Sequence, residues 1–167
     1  MRKLTKSFVL FLSFAGLLGG AANANAVACT SRANSAWNVL TTWAAAGRCA
    51  GAGTGPGETA GIPGVNDTVT IANGNAVTVT AAAAAASISF ASGNSATSIT
   101  LSGANSLTVS GAVTITAPTG NVTKAIAVGT GTLSAGSITI TSGINANRIS
   151  QVTVTTGTIT VGGNIAF

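Results

Sequence analysis

Two carboxylates, Glu58 and Asp67, are the only acidic side chains in a chain of 167 residues that also lacks histidine and tyrosine. A pair of acids is the minimum equipment for cleaving a glycosidic bond, one protonating the leaving oxygen and the other acting as base or nucleophile. Glu58 falls in a glycine-rich stretch, and Asp67 opens an alternating segment where a turn-forming aspartate is expected. A polysaccharide-active enzyme is therefore the weakest of the functional readings. Without histidine, neither a Ser-His-Asp triad nor a histidine metal site can be built. The sequence points to no catalytic, cofactor-binding or metal-binding residues, and to a protein that is not an enzyme.

Sulfur chemistry remains. Cys29 and Cys49 are the only cysteines, and an even count in an exported chain reads as one disulfide. A metal held by this pair would lack any further soft ligand. Closing a loop of this length stabilises a fold by about 3 kcal/mol in the chain-entropy view. Inside the loop stand the only two tryptophans, Trp37 and Trp43. Asn34-Ser35 could cap a short helix, Ala44 to Ala46 favour it and Gly47 suits its end. On that helix Trp37, Leu40 and Trp43 would share a face. The pair could meet a glycan, but the simpler reading packs both as large apolar side chains on the end of the core that follows.

Export is read from the amino terminus. Arg2, Lys3 and Lys6 precede an apolar run from Phe8 to Leu18, and Ala-x-Ala sites end at Ala24 and Ala26. This is the pattern of a secretory signal peptide over residues 1–26. The apolar run is too short for a membrane span, which needs about 20 residues, so no span is expected after cleavage. Cleavage leaves Arg32, Arg48, Lys124 and Arg148 against the two acids, a net charge of +2. Those four are scattered, whereas nucleic acid calls for a basic stripe. The expected location is extracellular or at the cell surface.

What must position these residues is a repeat. Residues 27–65 form a Cys/Trp-containing segment that ends in a Gly-rich loop. From residue 66 to 167 apolar residues alternate with Thr or Ser, as in Thr68-Val-Thr-Ile71 and Ala76-Val-Thr-Val-Thr80. That is the period of a half-buried strand. Leu107, Leu133 and Ile159 open related segments about 26 residues apart, and Gly131-Thr132 recurs as Gly157-Thr158. A period in this range predicts a solenoid. The fold class is all-β: a parallel β-helix of about four coils under a disulfide-bracketed cap with a short helix. Valine, isoleucine and leucine would point inward and threonine and serine outward. The run Ala81 to Ala86 is read as strand and corner because its neighbours alternate on both sides. Phe167 lies two periods beyond Ile115, at an inward position, which argues against a small outer-membrane barrel.

The stretch Cys29…Trp37…Trp43…Cys49…Pro63-Gly64-Val65-Asn66-Asp67-Thr68-Val69-Thr70-Ile71 resembles the start of large bacterial surface proteins. These are the adhesin-like β-helix proteins related to the MSHA pilus biogenesis protein MshQ. The resemblance is best over residues 29–115. It implies an adhesive or scaffolding role at the cell surface, with no catalytic residues to carry over.

Two non-catalytic functions follow. The first is a structural or adhesion module with a surface or glycan ligand, self-associating through an open final coil from Ile159 to Phe167. The second is binding to ice or another crystal surface. Its motif would be the outward threonines Thr114, Thr116, Thr139, Thr141, Thr153 and Thr155, a regular array able to match a lattice.

Overall fold

The computed structural model describes residues 26–43, 49, 52 and 59–167. The signal segment through residue 25, the expected helix residues Ala44 to Gly47, Arg48 and Glu58 lie outside the described residues.

Alternation in the sequence becomes a three-faced coil. The first full turn is built from β3 (Thr68–Ile71), β4 (Ala76–Val79) and β5 (Ala83–Ala85). The next uses β6 (Ser87–Phe90), β7 (Thr97–Leu101) and the first half of β8 (Ser106–Ile115). The second half of β8 starts another turn with β9 (Thr123–Val128) and β10 (Thr132–Ile140). The chain then winds through β11 (Ile149–Val154), β12 (Thr158–Val161) and β13 (Ile165–Ala166). Each strand lies parallel to its counterparts in the adjacent turns. The result is a β-solenoid of about four turns.

Ahead of the first full turn come β1 (Ala28–Thr30), β2 (Ser35–Ala36) and the single helical turn α1 (Leu40–Trp43). β1 pairs with β3 and β2 with β4, so the cap continues two of the three faces. Cys29 is in register with Val69 and is disulfide-bonded to Cys49.

Stacking sorts the side chains. Columns of aliphatic residues fill the interior, such as Val77, Ile99 and Ile126, or Leu107 and Leu133. All of these are buried, and each contributes about 1.5–3 kcal/mol of burial free energy. The run of alanines does form a strand, β5, and its Ala85 sits over Val109. Small residues suffice there because the coil is narrow.

The period is less uniform than the sequence suggests. The 26-residue spacing holds along β8, β10 and β12, where Leu107, Leu133 and Ile159 stack. The first full turn is far shorter, Thr70 meeting Ser89 at a separation of 19 residues. Strand positions are held by stacking, whereas corners face water and absorb insertions. Glycine recurs where corners touch. A Cβ on Gly131 would collide with the carbonyl oxygen of Asn105, and one on Gly157 with that of Gly131. The Gly-Thr repeat thus marks a site of close backbone approach rather than turn chemistry alone.

Truncating the interior should therefore be costly while changing the outer face is not. Leu107→Ala is expected to destabilise the protein by about 2–5 kcal/mol in urea unfolding, and the exposed Thr132→Ala by about 0.5 kcal/mol or less. Equal effects would contradict the inward–outward assignment.

Candidate functional site

The aromatic pair belongs to the cap. Trp37 and Trp43 are 2% and 0% exposed and pack edge to face with ring centroids 4.8 Å apart. The Trp43 Nε1–H donates to the Trp37 carbonyl at 2.6 Å, and the Trp37 Nε1–H points to the Pro63 carbonyl at 3.5 Å. Their faces are covered, so neither indole is offered to a sugar. The local helix also differs from expectation. Ser35 lies in β2, the Asn34 side chain accepts from the Ala76 N–H at 2.8 Å, and helix begins only at Leu40, which is half exposed. Pairing of Ser35-Ala36 with Val77-Thr78 holds this segment extended, and a short helix costs too much to nucleate against it.

Asp67 completes the cap. It is buried, and its two carboxylate oxygens accept the backbone N–H groups of Val27 at 2.9 Å and Gly64 at 2.8 Å. One side chain thereby ties the incoming chain and the Pro63-Gly64 turn to the first full coil.

The threonine array divides. Thr114 and Thr139 are in register on one face, but Thr153 lies in β11, beside Ala127 on another. Thr116 donates to the Phe90 carbonyl at 2.7 Å, Thr155 donates to the Gly129 carbonyl at 3.2 Å, and Thr141 is exposed. The six do not form one lattice, because the chain turns a corner over residues 142–148 between the second pair and the third. A different grid exists. Ser106, Thr132 and Thr158 form one outward column on β8, β10 and β12, and Thr108, Ser134 and Thr160 form the next. The neighbouring positions lie roughly 4.8 Å apart between coils and about 6.6 Å apart along a strand. The signal for this grid was the strict 26-residue spacing itself.

The two ends of the solenoid differ. At the C-terminal end Val154 is 49% exposed, Ile165 52% and Phe167 89%. Ile165 follows the inward register of Ile138, so it reaches its expected inward parity while remaining half exposed. Ile144 is exposed on the loop beside this end.

Nearer the cap, an open groove of about 440 Å³ runs between the loop containing Ile62 and Val65 and the outer surface of β5. Among the described residues that line it are Asn38, Ala83, Ala84 and Thr108.

No family model, curated protein or solved structure matches this chain. Among the described residues no three His, Cys, Asp or Glu side chains cluster to hold a metal, and no helix is long and apolar enough to cross a membrane.

One interior group was missed by sequence reasoning. Lys124 is fully buried in β9, in register with the buried Thr97 and with Ser150. Its ammonium donates to the Ala91 carbonyl and, at 3.4 Å, to the Thr116 hydroxyl. The signal was there in Lys124-Ala-Ile126-Ala-Val128, where lysine occupies the inward parity. Removal from water pushes its pKa below the 10.5 of an exposed lysine. Between the lowered folded value and 10.5 the unfolded chain binds more protons, so stability rises with pH across that window. Urea midpoints measured from neutral to alkaline pH should show this rise, and Lys124→Met should flatten it.

Proposed function

We propose that this chain is an exported, non-catalytic structural module of a cell surface that assembles through the open end of its solenoid. The observation that carries this reading is the asymmetry of the ends. One end is closed by a disulfide and two buried tryptophans. The other presents uncovered apolar side chains beside the outermost strands β11, β12 and β13. Such edges add further strands readily. Near-absence of charge removes the usual obstacle, since only Arg148 among residues 141–167 is charged. The signal-like leader, the disulfide and the resemblance to adhesin-like β-helix proteins all support export. The buried and hydrogen-bonded state of Asp67 supports a chain without acid–base chemistry.

A second reading, adsorption to ice or another crystal surface, is favoured by the Ser/Thr grid on β8, β10 and β12. It covers three coils and two columns, which is a small but rigid template.

Each reading has its own measurement. Sedimentation velocity over a concentration series should show self-association that Ile165→Lys suppresses without lowering the melting temperature, because Ile165 is already half exposed. A monomer at every concentration that binds no cell surface would overturn the assembly reading. The grid reading predicts thermal hysteresis that is lost on Thr132→Lys, and its absence in the native protein would dispose of that idea.

A further inference from the structure

The corner between β10 and β11 holds an arginine whose guanidinium bonds to nothing among the described residues. From residue 68 to residue 167 the chain carries two charged side chains, Lys124 and Arg148, and no acid. Asp67, the one described acid, is committed to two backbone N–H groups at the cap. Arg148 lines an open pocket of about 410 Å³ formed by the loop over residues 142–148 and the start of β11. Its Nε–H is sealed from solvent without an acceptor, the one buried side-chain atom in that state among the described residues. Its Nη groups likewise have no partner in the protein, but they stay open to solvent. All five donors of the guanidinium are therefore unused. We propose that this pocket binds an organic carboxylate, whose charged group pairs with Arg148 and whose apolar body lies against Ile144 and Ile149.

Three observations define that ligand. The first is charge. Ser150, on the pocket wall, donates to the Thr116 carbonyl at 3.3 Å, and the Thr116 hydroxyl accepts from the Lys124 ammonium at 3.4 Å. A second positive charge thus lies one residue behind the wall, and its own partners are uncharged oxygens. Two cations without a described acid beside them give the pocket a positive potential that favours an anion. The second is geometry. The planar fork of arginine matches the two oxygens of a carboxylate. Here the stem of the fork is held in place. The Arg148 N–H donates to the Asn145 carbonyl at 3.1 Å, and a Cβ on Gly143 would collide with the Arg148 Cβ, so the loop packs against the arginine. The Asn145 Oδ1 accepts from the Asn147 N–H at 3.3 Å, which leaves its NH₂ as a further donor. The third is the rim. Ile144 is 89% exposed and Ile149 40%, and both line the pocket. A bare inorganic anion would leave them in water, whereas an organic acid covers part of both.

Benzoate, acetate and sulfate are suitable probes. The Arg148 Nε–H, shielded from water, gives a side-chain amide-region resonance in nitrogen–proton NMR that should shift saturably as benzoate is added. Benzoate should bind about fivefold or more tightly than acetate, because it alone reaches the isoleucines. Arg148→Gln should abolish benzoate binding, followed through the backbone amides of residues 142–150. Ile144→Ser should bring benzoate down to the level of acetate, and because Ile144 is exposed the melting temperature should not change. This variant serves if the arginine variant fails to fold. No saturable shift with benzoate into the tens of millimolar range overturns the proposal. Benzoate binding retained in Arg148→Gln places the ligand elsewhere and overturns it too. Sulfate or acetate bound as tightly as benzoate would make this a general anion site and equally overturn the assignment.

Discussion

Parallel stacking is the constraint on which everything else depends. Among the described residues no strand pairs with the strand next to it in sequence; the hydrogen bonds run to the coils before and after. Each coil is therefore stable only as a neighbour of others. This explains why inward positions are aliphatic in column after column, and why glycine appears where one corner carbonyl presses on the next. It also means that the two ends, and any interruption of a ladder, are where the molecule differs from its own repeat.

The cap is a local answer to that problem. Trp37 and Trp43 supply the apolar volume that a further coil would have provided, and the disulfide holds Cys29 in the inward column above Val69. Asp67 secures the junction through two backbone N–H groups. Among the described residues the capping segment covers two of the three faces with strands. In the last described coil Ile165 and Phe167 are exposed.

Buried Lys124 is the exception inside the stack. Its neighbours in the column are Thr97 and Ser150, so this one inward row is polar through three coils. The ammonium meets a carbonyl and a hydroxyl, which satisfies it in part without cancelling its charge. A paired acid would be the usual partner for a buried cation, and here both partners are uncharged oxygens. The row trades burial of apolar surface for a hydrogen-bonded tie between the corner at Ala91 and strand β9.

Much of this was legible in the residues themselves. Period-2 alternation named the strands, including the ambiguous Ala83 to Ala85, because inward and outward parity is a local property of an extended chain. The cysteine pair and the 26-residue stacking of Leu107, Leu133 and Ile159 were equally plain. Face assignment was not, because alternation says which residues point outward but not toward which of three faces. Thr139 and Thr153 look alike in sequence yet belong to different sheets, separated by a corner that only the folded coil bends. The start of the helix around the tryptophans was misplaced for a related reason: local propensity could not anticipate that Ser35-Ala36 would be drawn into a ladder by Val77-Thr78, some forty residues away. Sequence alone determined the strands, the core and the repeat, since these rest on near-neighbour periodicity. Tertiary structure decided the faces and the buried lysine row, since each depends on which coil lies above which.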